Sequence, residues 1–146
     1  MLMNTSLHNM MLITQNRFYR EILGGALKKG LSPGQPKVLE LLRHEKECTQ
    51  TEISRALDLD KSTVTGILSR MESAGLIVVR PDAIDKRRRR ISLSPEGLKA
   101  SDDMEEVFSE VDAIAWGNIP EDKRREFIET LTQIYNNISK AERYGQ

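Results

Sequence analysis

The chain has 146 residues, of which 38% are hydrophobic and 30% are charged, and its 22 basic side chains balance 22 acidic ones. This length suits one compact domain, and the composition excludes a disordered chain. The sequence contains no run of about 18 apolar residues and no cationic, apolar and cleavable leader. We therefore expect a cytoplasmic protein that does not enter a membrane.

The neutral total hides an uneven distribution of charge. Residues 80–90 contain six basic and two acidic side chains, whereas residues 96–112 contain seven acidic side chains and one basic one. A polyanion responds to the local field of the surface that it touches rather than to the total charge. The basic segment is therefore the part of the chain best suited to contact nucleic acid.

The N-terminal segment carries the apolar stripe of a long helix. Gly30 can end this helix, and Ser32-Pro33 is a start signal for a second, short helix, because proline fits the first helical turn. The apolar residues of the first stripe recur at spacings of three, four or their multiples: Leu7, Met10, Met11, Phe18, Ile22 and Ala26.

Two short helices with clear start signals follow. Thr49 and Glu52 have the spacing of a capping box, which predicts a helix that reaches about residue 58. Asp60 can cap the next helix and Gly75 can end it. Between them the apolar positions recur at helical spacing: Val64, Ile67, Leu68 and Met71. The pair predicts a helix-turn-helix, and we call its second helix the recognition helix.

A charged hairpin is predicted directly after this pair. Residues 76–79 form a β-branched apolar run closed by Pro81, and residues 91–93 alternate apolar and polar side chains. Two strands joined by a basic loop at this place form the wing of a winged helix-turn-helix.

Two further helices are predicted at the C-terminal end. Ser94-Pro95 repeats the start signal, and Gly117 and Pro120 separate the two helices. Their apolar stripes consist of Leu98, Met104, Val107, Phe108, Val111 and Ile114 in the first, and of Phe127, Ile128, Leu131, Ile134, Tyr135 and Ile138 in the second.

These elements predict a mainly α fold with a small β-hairpin wing. We expect a single domain in which residues 32–97 form the winged helix-turn-helix lobe, and residues 1–31 and 98–146 form dimerisation helices. One chain of this size can hardly bury three long apolar faces, so a two-fold homodimer is expected to cover them. Such a dimer also sets its recognition helices about 34–36 Å apart, one turn of duplex DNA.

The solvent face of the recognition helix is short, polar and nearly free of acid. Short hydroxyl side chains let a helix approach base edges in the major groove, and Lys61 and Arg70 can reach phosphates or guanine. The face consists of Lys61, Ser62, Thr63, Thr65, Gly66, Ser69, Arg70 and Ser73. In this context we expect double-stranded DNA as the partner.

Four consecutive arginines lie in the wing. Strand alternation predicts that Arg87 and Arg89 project together, away from Arg88 and Arg90, so that one pair can enter a narrow minor groove. Asp85 is a poor neighbour for a phosphate, and we expect it to form hydrogen bonds within the wing and to fix the pose of an arginine.

Several segments together resemble the MarR (multiple antibiotic resistance regulator) family. The aspartate-x-arginine motif at Asp85 and Arg87, followed at the family's spacing by Leu93 and a hydroxyl residue, is the most specific of them. The resemblance covers nearly the whole chain and rests on residues 51–57, 60–65, 68–77, 85–87 and 93–97.

The resemblance implies a homodimeric transcription regulator that binds a pseudo-palindromic operator through recognition helices and wings, with repression as the commoner mode. The implied base contacts are Ser62, Thr63, Thr65 and Arg70, and the implied minor-groove arginine is Arg87. Gly66 departs from the larger, often basic residue of the family. Small aromatic or phenolic effectors are also implied, and Met10, Met11, Phe18 and Trp116 are candidates to line their cavity, although such apolar stripes are more often core.

Other functions have weaker support in the sequence. A winged-helix module that binds proteins instead of DNA stays open as the alternative, although it has no need of four clustered arginines. No arrangement of nucleophile, base or paired carboxylates predicts an enzyme, and no cofactor or metal site is expected, because His8 and His44 lack cysteine partners. Cys48 lies near a helix N-terminus that could depress its pKa, but no second cysteine is present to resolve a disulfide.

Overall fold

The computed structural model describes residues 6–141 of the chain. In chain order the elements are α1 (Leu7–Lys28), α2 (Gln35–Glu45), β1 (Glu47–Cys48), α3 (Gln50–Leu57), α4 (Lys61–Ser73), β2 (Ile77–Pro81), β3 (Arg89–Leu93), α5 (Pro95–Trp116) and α6 (Glu121–Ala141). They confirm a mainly α fold that contains a winged helix-turn-helix. The chain forms two compact units. The boundary between them falls between Val111 and Asp112, within α5.

The wing belongs to a three-stranded antiparallel sheet with the order β1-β3-β2. Strands β2 and β3 pair from Ile77 opposite Leu93 to Pro81 opposite Arg89. Strand β1, which the sequence pattern did not predict, pairs Cys48 with Ile91. A strand of two residues is too short to produce an alternation that a sequence pattern could reveal.

The first unit is organised around one hydrophobic core. The four apolar positions predicted for the recognition helix, which is α4, are all buried. They belong to one cluster with residues of α2, α3 and α5, among them Val38, Leu39, Leu42, Ile53 and Met104. The recognition helix is therefore held by its apolar face, and its polar face is left at the surface.

Helix α2 begins later than the Ser32-Pro33 signal predicts. Gly34 stands at the N-cap position with a φ of 87°, and Pro36, not Pro33, lies in the first turn of the helix. A β-carbon at position 34 would also lie 2.8 Å from Cδ1 of Ile67. Gly34 therefore combines a left-handed backbone with a close approach to α4, which favours glycine on both counts.

Contacts between helices of the first unit tie α1 and α2 to α5. Arg43 of α2 donates to the Ser101 hydroxyl, 2.8 Å away, and pairs with Asp102. A β-carbon on Gly25 would lie 2.4 Å from Cγ1 of Val107, so α1 passes very close to α5 at this point. Gly25 is thus a packing residue inside a continuous helix, and it does not end α1 early.

The second unit contains the end of α5 and all of α6. The rings of Trp116 and Phe127 meet edge to face with centroids 6.0 Å apart, and Cζ of Arg124 lies 5.7 Å from the centroid of the Trp116 ring. Arg124 also donates to the carbonyls of Ile119 and Gly117, and so closes the turn between the helices. Trp116, a candidate to line an effector cavity, thus packs against Phe127 and Arg124.

Apolar side chains of both terminal helices remain open to solvent. Ala26 is the buried residue of α1, and α6 has none. The exposed members of the predicted stripes are Leu7 and Met11 in α1, and Phe127, Ile128, Tyr135 and Ile138 in α6. None of the helices within residues 6–141 combines the length and the hydrophobicity needed to cross a bilayer.

Candidate nucleic-acid interface

A polar groove lies between α3, α4 and the wing. Its volume is about 560 Å³, and its lining includes Gln50, Lys61, Thr65, Ser69, Arg87 and Arg89. The fold thus brings together residues from the recognition helix and from the basic loop, although 18 to 28 positions separate them in the chain. The groove also reaches α3, an element for which the sequence indicated no contact residue.

The N-terminus of α4 is built around the Asp60 carboxylate. As the N-cap residue, Asp60 accepts the backbone N–H of Thr63 at 3.0 Å, as predicted. It also accepts the hydroxyl protons of Ser62 at 2.6 Å and Thr63 at 2.5 Å. These hydrogen bonds, chiefly the one from Ser62, lower the pKa of Asp60 far below its usual range. Asp60 is therefore ionised at neutral pH and holds both hydroxyls.

Thr65, one turn further along α4, is also held by neighbours. Its hydroxyl donates to the carbonyl of Lys61 at 2.9 Å and accepts from Nε2 of Gln50 at 2.5 Å. Gln50 is the first residue of α3, so this contact joins the two helices of the motif at the groove. Sequence reasoning missed Gln50, because no local pattern marks a side chain that meets another helix fifteen residues away.

Of the predicted contacts, Lys61, Thr65, Arg87 and Arg89 line the polar groove, whereas Ser62, Thr63 and Arg70 do not. Arg70 lines a second cavity beside Lys29, Leu31 and Gln35, on a different side of α4 from Thr65. Its guanidinium extends back along the helix, and a β-carbon at Gly66 would lie 3.5 Å from Nη1 of Arg70. The guanidinium of Arg70 thus lies beside Gly66, at ordinary van der Waals distance from the place of a β-carbon.

The tip of the wing differs from the predicted alternation. Arg87 and Arg88 lie in the loop before β3 begins at Arg89, so the expectation that four arginines alternate along a strand is wrong. Asp85 accepts two hydrogen bonds from Arg87, one from the backbone N–H at 3.1 Å and one from the side-chain Nε at 3.4 Å. The side chain of Arg87 remains 94% exposed. A turn centred on Asp85, rather than strand geometry, orients this arginine.

Arg90 faces inward and contacts two acids from different parts of the fold. Its Nε lies 3.4 Å from Oδ1 of Asp82, and its Nη1 lies 3.6 Å from Oε2 of Glu52. Asp82 also accepts the backbone N–H of Asp85, and this bond, helped by Arg90, lowers the pKa of Asp82. Glu52 is the N3 residue of the capping box that begins α3. Arg90 therefore connects the wing to the helix-turn-helix.

A family model described as the MarR family matches residues 29–88, the part of the chain that holds α2, α3, α4 and most of the wing. The HTH-type transcriptional repressor YetL of Bacillus subtilis is 28% identical over 114 residues, which cover 76% of this chain and 68% of that protein. The chain is a regulator of the MarR type.

Solved MarR-type structures share the fold over almost the whole chain. The MepR–DNA complex of S. aureus matches with a TM-score of 0.84 at 20% identity, over 92% of this chain and 99% of that one. BpsR of Bordetella bronchiseptica, whose DNA binding is regulated by 6-hydroxynicotinic acid, matches with a TM-score of 0.82 at 19% identity, over 92% of this chain and 96% of that one. The MarR-type chain is a transcriptional regulator, as its relatives are.

This MarR-type chain also has a cavity behind the recognition helix. Its volume is about 610 Å³, within the range of small-molecule sites, and Lys29, Leu31, Arg70 and Leu76 are among its lining residues. The cavity lies in the first unit and is open to solvent, and its lining mixes apolar side chains with polar ones, among them the guanidinium of Arg70. Met10, Met11 and Phe18, which the sequence suggested for an effector cavity, do not line it.

Cys48 of this MarR-type regulator is buried in the sheet opposite Ile91. Burial raises the pKa of its thiol, and the carboxylates of Glu52 and Glu45 raise it further. The expected depression of this pKa by a helix N-terminus is therefore wrong in direction, because removal from water disfavours the thiolate.

Among the described residues, no three His, Cys, Asp or Glu side chains lie together as a metal site would require.

Proposed function

We propose that this MarR-type regulator binds a pseudo-palindromic operator in double-stranded DNA, with α4 in the major groove and the wing in the minor groove. The observation that carries the proposal is the groove in which Lys61 and Thr65 of α4 meet Arg87 and Arg89 of the wing. The helix would then lie in the major groove, and the hairpin beside it would contact the neighbouring minor groove. The MepR–DNA complex is a precedent on the same fold.

The predicted contacts take different roles in this proposal. The exposed Arg87 enters the minor groove, with Asp85 as the residue that positions it, and Arg89 contacts the backbone. Arg70 contacts phosphate only after its side chain leaves the cavity behind α4. The residues proposed to face bases or phosphates are Lys61, Ser62, Thr63, Thr65, Arg70, Arg87 and Arg89.

We further propose that the regulator is a homodimer, with residues 32–97 as the DNA-binding lobe and the segments 1–31 and 98–146 as dimerisation helices. The exposed apolar stripes support this: Leu7 is 60% exposed in α1, and Ile138 is 70% exposed in α6. A second copy that covers these stripes removes them from water, which favours association. Sedimentation of the purified chain tests the proposal, and a monomer at micromolar concentration would reject it.

Repression and release by a small aromatic acid complete the proposal. YetL is named a repressor, and the DNA binding of BpsR is regulated by 6-hydroxynicotinic acid. The cavity beside Arg70 suits an aromatic carboxylate, because the guanidinium can pair with the acid while Leu31 and Leu76 contact the ring. An effector bound there would hold Arg70 away from the DNA. It would therefore lower the affinity of the regulator for its operator.

A mobility-shift titration tests sequence-specific binding. The probe is the region upstream of the chain's own gene, and the control is a shuffled duplex of equal length and composition at the same moderate salt. The proposal predicts that the upstream region binds more tightly, and equal affinity for both duplexes would reject specificity. No binding of either duplex at low salt would favour the alternative, a winged-helix module that binds proteins.

A further inference from the structure

Three hydroxyl groups in the first turns of α4 already donate their protons within the protein. Ser62 and Thr63 donate to the two carboxylate oxygens of Asp60, at 2.6 and 2.5 Å. Thr65 donates to the main-chain carbonyl of Lys61 at 2.9 Å. All three residues are exposed, so their remaining hydrogen-bonding capacity faces outward.

The chemistry of these partners fixes the polarity of each hydroxyl. A hydroxyl has one proton and two lone pairs, whereas an ionised carboxylate and a carbonyl oxygen can only accept. The proton of each hydroxyl therefore points into the protein, and what remains for a ligand is acceptor capacity. Thr65 has even less to offer, because it also accepts the amide N–H of Gln50 at 2.5 Å.

This arrangement resists reversal. Hydrogen bonds to an ionised carboxylate are about twice as strong as neutral ones. If Ser62 or Thr63 turned its proton towards DNA, Asp60 would lose one of the donors that lower its pKa. A phosphate oxygen is itself an acceptor, and it would meet both the lone pairs of these hydroxyls and the charge of Asp60. The hydroxyls are therefore poorly suited to phosphate.

We infer that Ser62, Thr63 and Thr65 act as acceptors that select exocyclic amino groups, the N6 amino group of adenine or the N4 amino group of cytosine, in the major groove. Guanine offers acceptors at O6 and N7 there, and thymine offers an acceptor and a methyl group. The inference rests on the proposed function, because it requires that α4 enters the major groove of a specific operator. It also implies that the ammonium of Lys61 is the group that donates hydrogen bonds to guanine or to phosphate.

The first experiment identifies the bound sequence and then removes single groups from it. The full chain selects duplexes from a pool with a randomised central segment, and the enriched duplex is resynthesised with purine in place of one adenine or pyrimidin-2-one in place of one cytosine. Loss of the amino group that faces the hydroxyls is expected to weaken binding about fivefold or more, the effect of one hydrogen bond. As a control, 7-deazaguanine replaces guanine at neighbouring positions, which removes the N7 acceptor and leaves every amino group in place.

The outcomes separate the inference from the proposed function. If no sequence is enriched, specific operator binding itself is rejected. If a sequence is enriched but none of the amino-group deletions in its half-sites weakens binding, the proposed function stands and the acceptor inference is overturned. A pronounced effect of an amino-group deletion supports both.

Two variants assign the effect to these hydroxyls. Thr63→Val keeps the shape of the side chain and removes the hydroxyl, so the variant should lose the fivefold discrimination between adenine and purine, or between cytosine and pyrimidin-2-one. Ser73→Ala, at the other end of the same helix, is the matched control and should retain it. If Thr63→Val, Ser62→Ala and Thr65→Val all discriminate as the unaltered chain does, the hydroxyls do not read the amino groups.

Asp60→Asn is expected to reverse the base preference of the protein. Asparagine is also a good N-cap residue, so the helix is expected to form. Its amide N–H₂ can donate to one of the two hydroxyls, which then can turn its proton outward. Repeated selection with this variant should enrich guanine or thymine at positions where the unaltered chain selects adenine or cytosine. An unchanged selected sequence would overturn the acceptor inference.

Discussion

Arg90 in the wing reaches Glu52 in α3, with 3.6 Å between Nη1 and Oε2. Glu52 at the same time accepts the backbone N–H of Thr49 at 2.8 Å and so completes the capping box of its own helix. One carboxylate therefore serves both the start of α3 and the attachment of the hairpin. Because Arg90 also contacts Asp82, the orientation of the wing is coupled to the helix-turn-helix through side chains rather than through the sheet alone.

Arg90→Gln is expected to weaken specific DNA binding about fivefold while the salt dependence stays unchanged. The variant loses ion pairs worth about 1 kcal/mol that position the wing, but it loses no phosphate contact. Fluorescence anisotropy at several salt concentrations measures both quantities. Glu52→Gln preserves the capping box and removes one of the two ion pairs, so it should reproduce part of the effect. A lower salt slope in Arg90→Gln would show that Arg90 contacts phosphate directly.

Arg87→Ala is expected to weaken binding to every duplex and to lower the salt slope by about one unit, because one neutralised phosphate releases about one counterion. The guanidinium is almost fully exposed and lies at the loop tip, where a duplex can reach it. The same salt titration measures the slope. Arg80→Ala, an exposed arginine of β2 in the same hairpin, is the matched control. An unaltered slope for Arg87→Ala would contradict a role for Arg87 at the DNA.

Signals that act over three or four residues could be interpreted from the sequence alone. The capping box at Thr49, the cap at Asp60 and the start at Ser94-Pro95 each depend on side chains that contact the backbone close by, and each is present. The apolar spacing of α4 likewise predicted its buried face. Local patterns were therefore sufficient to place the helix-turn-helix and the wing along the chain.

Contacts between distant residues could not be predicted in this way. Gln50 meets Thr65, and Arg90 meets Glu52, only because α3, α4 and the sheet pack together. The alternation proposed for the arginines was wrong because β3 begins at Arg89, and the boundary of a strand depends on its partner. Helical spacing placed Arg70 on the solvent face of α4 as a DNA contact, but its long side chain lies beside Gly66 and lines the cavity behind the helix.

Gly97→Ala is expected to lower the free energy of unfolding by about 2 kcal/mol or more, because overpacking against fixed atoms costs about this much. A β-carbon at position 97 would lie 1.9 Å from the main-chain carbonyl oxygen of Leu76, which cannot move without shifting β2. Gly24→Ala is the matched control, since it has no atom within 4 Å of the new β-carbon and should stabilise α1 by about 0.5–1 kcal/mol. Urea denaturation compares them, and equal stability of both variants would contradict the close approach at Gly97.

Cys48 is expected to react slowly with iodoacetamide in the folded protein at pH 8. The thiol is buried and its pKa is raised, so little thiolate is present and the reagent cannot reach it. Mass spectrometry of the alkylated chain measures the rate, and urea should accelerate it in step with unfolding. Rapid alkylation of the folded chain would instead show that the thiol is accessible.

The cap formed by Asp60 predicts how stability changes in acid. The pKa of Asp60 is lower in the folded chain than in the unfolded chain, where a free aspartate titrates near about 3.9. The contribution of Asp60 to the free energy of unfolding is therefore fully present above the pKa of the unfolded chain. This contribution is lost as the pH falls from that pKa to the lower pKa of the folded chain. Asp60→Asn lacks this titration, so the difference in free energy of unfolding between the two proteins should be constant from neutral pH to about pH 5 and should change only in more acidic solution. Urea denaturation across this pH range measures it, and a difference that already changes near pH 6 would show that a group other than Asp60 controls the cap.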